Sequence, residues 1–417
     1  LAKDNNINEN NVTKSQKLIA KFPSIEDIFS EIENYESQTN DWIEDIHESV
    51  DEISKVTENI KLDLLKSDEM TWEEQQKIEN TFEEINNIAN QMEEIKSNIE
   101  KILEKAEENN LFNKDLTDKF DKLQEMIQNI MTPELMEAIQ QMQESLKSPD
   151  INKIMESLEN YEFNIEKFEE QIDRFIDMFE LAIAEQKLNE LSKFIENMIS
   201  KENQLIQNIL DDESTESLNK KSLKQENRFV DLNSLLNEAS SFTETISQKT
   251  SQEIENLIKD SIMKETSKNL SEQTKQINNN NKNESMLSSQ LANNNLKEIS
   301  SIINEINEQF NNENKNKMSK EYIVIISNLL AMSNQQENII KESKGIRSNS
   351  PKIRTINQKQ YNIDKELVQL TSQLIELSNK TFFVNPKINR YIGQLKSTIN
   401  KCISFFEQKQ IRNGKKE

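Results

Sequence analysis

The chain contains one residue spacing that is typical of a metal site, in the segment EDIH from Glu44 to His47. A glutamate followed three residues later by a histidine is the ligand spacing of helical di-iron proteins, which carry this motif twice. His47 is the only histidine of the chain, so a dinuclear site of that kind is excluded. We interpret His47 as a surface residue beside an apolar stripe. The many carboxylates lack the Asp-rich, Gly-containing loop of a calcium site and are interpreted as solvated helix faces.

The residues present also give no support for nucleophilic chemistry. A serine or cysteine nucleophile requires a histidine base near a strained, Gly-flanked turn, and the sequence has no such segment. Cys402 is the only cysteine, which excludes an intramolecular disulfide and a multi-cysteine zinc site, and we interpret it as a packing residue. Gly345, Gly393 and Gly414 lie too far apart for a phosphate-binding loop. The sequence therefore predicts no enzymatic activity, no cofactor, no metal and no small-molecule substrate.

The composition indicates which elements must position these residues. The 417 residues include only 3 Gly and 5 Pro, too few for the turns of a mixed α/β fold, and 34% are hydrophobic. That apolar content suits narrow stripes along helices better than one globular core. We therefore predict an all-α fold, an elongated multi-helix bundle of coiled-coil-like helical hairpins with flexible Asn-rich joins. Intrinsic disorder is the competing interpretation, because the formal net charge is −24.

The two halves of the chain differ in charge. Residues 1–212 carry 21 Lys and Arg against 51 Asp and Glu, whereas residues 213–417 carry 30 against 24. An acidic surface repels phosphate groups, so we predict no nucleic-acid binding. No apolar run approaches the roughly 20 residues that cross a bilayer, so we predict no direct membrane insertion within this chain. The chain begins with Leu1 rather than Met, and a membrane anchor upstream of it stays an open alternative.

Helix-start signals and apolar spacing divide the chain into six segments. Ser24 with Asp27 and Thr71 with Glu74 have the spacing of capping boxes, which predicts a long helical hairpin. Ser148, which precedes a proline, predicts the start of a short helix. The predicted segments are a disordered start at 1–22, the long helical hairpin at 23–110, short helices plus a long central helix at 111–212, an Asn/Ser-rich and partly helical linker region at 213–318 with flexible joins at 277–284 and 311–318, a C-terminal three-helix unit at 319–410 and a tail at 411–417.

The most apolar segment lies in the central helix, which we expect to begin near Asn164 and to end near Asp212. At 100° per residue its apolar side chains form two stripes about 130° apart. Because a two-stranded coiled coil keeps one seam, two stripes predict neighbours on both sides of this helix. Arg174 has Glu170 and Asp177 one turn away on either side, which predicts an exposed ion pair; anchoring a partner's carboxylate is the functional alternative. The packing or partner-binding candidates are Arg174, Phe175, Phe179, Leu181 and Leu188.

Four segments together resemble a known bacterial family. They are MTPELMEAIQQMQESLKSPD, IDRFIDMFELAIAEQKLNEL, LLAMSNQQENI and IELSNKTFFVNPKINRYIG. Over roughly 113–210 and 319–410 the chain is similar to domain-of-unknown-function family 4175, whose members are large envelope proteins. Asp173-Arg174, Glu185 to Leu188, Gln335 to Glu337 and Ser378 to Pro386 carry most of the resemblance. It implies a membrane-anchored protein whose helical portion lies outside the cytoplasm; it supplies no catalytic residues, and this chain lacks the membrane spans of that family.

These observations lead to two hypotheses of function. In the first, the protein is a non-enzymatic structural scaffold or tether, the extracytoplasmic helical part of a membrane-anchored bacterial envelope protein. In the alternative, it is a cytoplasmic coiled-coil adaptor whose acidic surface recruits basic partner proteins. Both hypotheses predict protein partners or self-association through helices.

Overall fold

A computed structural model of the chain describes residues 2–3, 12–13, 23–66, 70–148, 150–344, 350–379 and 387–408. These residues form an all-α fold, as predicted. β1 (Ala2–Lys3) and β2 (Val12–Thr13) form a short antiparallel pairing; the rest of the predicted start and the predicted tail at 411–417 lie outside the described residues. The helices are α1 (Ile25–Leu64), α2 (Trp72–Glu108), α3 (Lys114–Ile130), α4 (Pro133–Ser145), α5 (Ile151–Leu210), α6 (Thr215–Glu244), α7 (Gln248–Lys259), α8 (Ser261–Asn278), α9 (Lys282–Ser343), α10 (Lys352–Asn379) and α11 (Lys387–Glu407).

α1 and α2 form the predicted antiparallel hairpin. Each begins at a capping box, in which the hydroxyl of the cap accepts a hydrogen bond from the backbone three residues later and the acid there bonds back, as at Ser24. Lys105 of α2 pairs with Glu31 of α1 at 2.7 Å, and the Asn98 amide lies 3.4 Å from the Tyr35 carbonyl oxygen. The two helices are therefore antiparallel.

Within the described ranges, no helix is long and apolar enough to span a membrane.

α5 differs from its prediction because it is one helix of 60 residues rather than a short helix followed by a long one. Its N-cap is Asp150, whose carboxylate accepts from the Asn152 backbone N–H at 3.1 Å, and not Ser148. The predicted break near Asn164 is wrong, since the buried stripe continues through Tyr161 without Gly or Pro to interrupt it. At about 1.5 Å per residue, α5 is roughly 90 Å long.

The predicted linker region at 213–318 is instead a set of packed helices, α6, α7, α8 and the first half of α9. Within the predicted join at 277–284, only residues 279–281 form a turn between α8 and α9, and Asn280 there has φ 55°, a left-handed conformation that asparagine tolerates. The segment 311–318 lies inside α9 and is not a join. There the Asn311 amide donates to the Asn307 carbonyl at 3.0 Å, while Phe310 is fully buried. The helix is thus packed against the core at Phe310, immediately before the Asn-rich segment.

α10 packs against the second half of α9, and α11 packs against α10; α9 itself continues across the predicted boundary at 319. α10 also contacts α5. The apolar core of this region is nevertheless a cluster distinct from the large core around α5. Residues of α10 at heptad spacing are buried, whereas Ile353 one turn before them is half-buried; the buried positions are Ile356, Gln360, Ile363, Leu367, Leu370, Leu374 and Leu377.

Candidate functional site

The central part of α5 is buried on every side. Every residue from 181 to 192 is buried, over more than three helical turns, so no face of this segment meets solvent. α1, α3, α6 and α9 are among the helices that contact α5. The sequence predicted neighbours on both sides of this helix, and residues 181 to 192 have them. Because the segment contains charged residues, these must find their partners inside the protein.

The neighbours of α5 change along its length. In its first half, the Tyr161 hydroxyl lies 2.7 Å from the Thr81 hydroxyl of α2. In its second half, the Met198 carbonyl oxygen accepts from the Gln225 amide of α6 at 2.9 Å, and Asn203 bonds to Asn293 of α9. α5 therefore bonds to different helices in its first and second halves.

A buried ion cluster lies where α1 crosses the central segment. The Lys187 ammonium lies 2.7 Å from a Glu36 carboxylate oxygen of α1 and 3.5 Å from one of Glu190. The Gln186 amide donates to both carboxylates. Burial would lower the pKa of Lys187, but the two acids outweigh it and hold that pKa above its ordinary value. Burial, together with the nearby Glu36, raises the pKa of Glu190 against the opposing effect of Lys187.

A second buried pair joins α5 to α3. The Lys119 ammonium contacts the Glu185 carboxylate and lies 3.1 Å from Asp115. Burial raises the pKa of Glu185, and Lys119 opposes that effect. A polar cleft of about 470 Å³ opens beside this pair, and Lys315 of α9 lies 3.7 Å from Asp115 on its lining. Three charged residues of its lining, Asp115, Glu185 and Lys315, therefore already pair within the protein.

A third polar group on α5 is a carboxylate without a cation. Glu202 accepts from the Gln225 amide at 3.1 Å and from the Gln273 amide of α8 at 2.7 Å, and none of the ion pairs between described residues includes it. Its side chain is fully buried. Burial raises the pKa of Glu202 to about 7, although the hydrogen bonds lower it. This carboxylate thus changes its charge near neutral pH.

The five packing or partner-binding candidates divide into apolar and charged members. Phe175, Phe179, Leu181 and Leu188 are all buried, and the Phe175 and Phe179 rings stack with centroids 6.0 Å apart. Arg174 is half-buried rather than exposed, and its Nε has no hydrogen-bond partner among the described residues. Burial lowers the pKa of Arg174, and Tyr322 of α9 opposes this.

The single histidine of the chain has the surface position that was predicted. His47 Nδ1 lies 3.7 Å from Asp173, and both side chains are about half exposed or more. Across the described residues, no group of three His, Cys, Asp or Glu side chains is arranged to hold a metal ion.

The buried charged residues are what sequence reasoning missed, since all the carboxylates were assigned to solvated faces. A signal was present in their spacing. Glu36 falls between Ile32 and Ile43 at an apolar-stripe position, and Glu202 falls between Met198 and Leu205 in the same way. A charged residue at a stripe position indicates either a break in the stripe or a buried polar contact.

Comparison of the chain with protein-family models, curated proteins and solved structures finds no match. The resemblance to an envelope family therefore stays a prediction.

Proposed function

We propose that the protein is a non-enzymatic helical scaffold, in which α5 is a rigid axis and the α1–α2 hairpin is presented to basic protein partners. The observation that carries the proposal is the pairing of the buried polar groups of α5 with other helices. Glu185, Lys187 and Glu202 each bond to a side chain of α3, α1, or α6 and α8 respectively. Such contacts fix helices relative to one another and leave these groups occupied within the fold, which favours a structural role over catalysis.

The length of the helices supports a spacing role. α5 has 60 residues and α9 has 62, which corresponds to roughly 90 Å for each at about 1.5 Å per residue. A continuous helix packed along its length keeps its ends at a fixed separation. Two such helices in contact with each other provide the stiffness that a tether or scaffold requires.

The α1–α2 hairpin supplies the surface for partners in this proposal. Its two helices carry 24 Asp and Glu against 6 Lys, a formal net charge of −18. A shallow groove between them is lined by Asp45, Glu48, Glu52 and Glu84. An acidic surface of this kind attracts and orients basic partners. Basic amphipathic helices are therefore the partner class that we propose.

A peptide-binding experiment tests this proposal on the full chain. The probe is a Lys/Leu amphipathic helical peptide, and its affinity is measured by fluorescence anisotropy at two salt concentrations. We expect the triple variant Glu48→Gln, Glu52→Gln, Glu84→Gln to weaken binding about tenfold, because three exposed charge pairs of a few tenths of a kcal/mol or more are lost.

The matched control removes the same number of charges elsewhere, with Glu255→Gln, Glu265→Gln and Glu298→Gln on α7, α8 and α9. These residues are exposed. We expect the control to weaken binding by less than about twofold, because the effect of distant exposed charges is screened. Equal weakening by both variants, or no binding to the wild-type protein, would contradict partner docking on the hairpin.

The envelope tether and the cytoplasmic adaptor differ only in where the scaffold acts. The resemblance to the envelope family supports the first, and the acidic hairpin supports the second without reference to location. Protease accessibility of the complete protein in intact cells and in spheroplasts distinguishes them. Digestion only after the outer barrier is opened supports the tether, and protection in spheroplasts supports the adaptor.

A further inference from the structure

The C-terminal helices enclose a cleft that the scaffold proposal does not use. It has a volume of about 370 Å³ and lies between α9, α10 and α11. Its walls are formed mainly by Met332, Ile363, Ile399 and Cys402, all of which are buried. A volume of this size and a mainly apolar lining are typical of small-molecule sites in proteins.

One polar residue of the lining is a glutamine within the apolar heptad of α10. Gln360 is fully buried between the heptad positions Ile356 and Ile363. Neither its amide nitrogen nor its amide oxygen has a hydrogen-bond partner in the part of the chain that the structure describes. A buried amide lowers the stability of a fold when neither its N–H nor its C=O group has a hydrogen-bond partner, because both groups have lost their hydrogen bonds to water.

A role in setting helix register does not explain Gln360. A polar residue at a core heptad position specifies register when it bonds to a polar residue of the facing helix. The other glutamine of the lining, Gln336 of α9, also has an amide oxygen without a partner among the described residues. The two glutamines therefore do not satisfy each other, and they present one donor and two acceptors in the same cleft.

The charges of the lining restrict what kind of molecule fits. The cleft has no Lys or Arg among its lining residues, and its one acid, Glu337, lies 3.5 Å from Lys341 and is largely exposed. An anionic head group would thus meet no cation there. An uncharged amide or alcohol head offers the donor and acceptor that the two glutamines require.

The mouth of the cleft is apolar as well. Ile340 and Leu395 both line it and are exposed to solvent over nearly half of their surface. A hydrocarbon chain lying across them would remove that surface from water. At about 30 Å³ for each water-sized group, the cleft accommodates on the order of ten non-hydrogen atoms.

From the apolar walls and the unsatisfied amides we infer that this cleft binds an uncharged single-chain amphiphile, with its amide or alcohol head at Gln360 and its hydrocarbon chain along Ile340 and Leu395. This site goes beyond the scaffold proposal and does not depend on it.

Titration calorimetry with the full chain tests the inference, with nonanamide as the probe and nonanoate as its anionic counterpart. We expect nonanamide to bind with one-to-one stoichiometry and nonanoate to bind at least about tenfold more weakly, because the carboxylate meets no cation. No binding of nonanamide at its solubility limit, which would leave only water at Gln360, would overturn the inference.

Variants of the cleft provide the second arm of the experiment. Gln360→Leu should fold, because leucine suits the heptad, and should weaken nonanamide binding about tenfold through loss of the head-group hydrogen bonds. Gln358→Leu makes the same change at an exposed position of the same helix and should leave the affinity unchanged. Leu395→Asn, at the exposed mouth, should weaken binding about threefold. Equal affinity in all three variants would show that the amide binds elsewhere and would contradict the proposed site.

A second copy of the chain is the competing occupant of this cleft. Analytical ultracentrifugation of the wild-type protein and of Leu395→Asn distinguishes the two cases. We expect the same mass for both. A dimer that Leu395→Asn dissociates would assign the cleft to self-association and overturn the small-molecule inference.

Discussion

Two polar layers on the same helix bury carboxylates in different ways. At Gln186 to Glu190 of α5, the carboxylates surround the Lys187 ammonium, which lies 2.7 Å from Glu36. At Glu202, two glutamine amides bond to a carboxylate that no cation contacts among the described residues. The layers lie about 20 Å apart along α5, at about 1.5 Å per residue. The first layer contains a cation beside its carboxylates, whereas the second holds its carboxylate with neutral groups alone.

The two layers differ in what happens to their buried charge when a partner is removed or the pH changes. A buried ion pair is worth little compared with apolar packing, but removal of one partner leaves an uncompensated charge. At Glu202 burial raises the pKa to about 7 although the hydrogen bonds lower it, so this carboxylate can accept a proton and lose its charge. The following predictions, from the largest effect to the smallest, test this difference.

The largest effect is expected from Lys187→Met. The change keeps most of the side-chain volume and leaves Glu36 and Glu190 without a cation, which should lower the free energy of unfolding at pH 7 by about 3–5 kcal/mol. Urea titration followed by circular dichroism measures it. The control is Lys193→Met, whose exposed pair with Glu196 at 3.6 Å should contribute less than about 1 kcal/mol. Similar losses for the two variants would show that the Lys187 cluster is not an energetically coupled, buried group.

Glu202→Gln should have the opposite sign and a strong pH dependence. The pKa of Glu202 is about 7 in the folded chain against an ordinary value of 4.5, so the folded chain binds more protons between these pH values. The stability that the wild-type residue contributes is therefore present below pH 4.5 and is lost as the pH rises to about 7. Above pH 7 we expect the variant to be more stable than the wild type by about 3 kcal/mol, and below pH 4.5 we expect no difference.

The new amide of Glu202→Gln also has an acceptor available, because the Gln273 amide oxygen has no partner in the described part of the chain. Urea unfolding at pH 4.5, 6 and 8 measures the effect. Glu196→Gln, an exposed residue of the same helix, serves as the control and should shift stability by less than about 0.5 kcal/mol at any of these pH values. A variant that is less stable than the wild type at pH 8 would show that the hydrogen bonds to the charged Glu202 carboxylate outweigh the cost of its burial.

The smallest effect is expected at a neutral buried bond, which gives a baseline for both layers. Tyr161→Phe removes the hydroxyl that lies 2.7 Å from Thr81 and keeps the edge-to-face contact with Phe82 at 5.5 Å between ring centroids. Because the Thr81 hydroxyl still bonds to the Ile78 carbonyl oxygen, we expect a loss of about 1 kcal/mol. Thermal unfolding measures it, with the exposed Tyr361→Phe as the control. A loss as large as that of Lys187→Met would mean that charge does not distinguish the layers.

The candidate site could be predicted from the sequence only in part. The buried apolar members, such as Phe179 and Leu188, follow from their stripes, because helical spacing alone places them on a common face. The burial of Arg174 and Glu202 does not follow from their spacing, since the same spacing is compatible with a solvated or a buried charge. Which of these holds depends on helices far away in sequence: α8 supplies Gln273 to Glu202.

The sequence by itself determined the all-α class, the caps of α1 and α2 and the hairpin, because these depend on contacts between residues a few positions apart. Only the tertiary structure decided that α5 runs unbroken from residue 151 to 210, that α9 continues through its Asn-rich segment, and that charged residues of α5 face inward. Each of these outcomes requires apolar cover or a polar partner from a distant helix. Local propensity is too weak to specify them, and packing supplies the free energy that does.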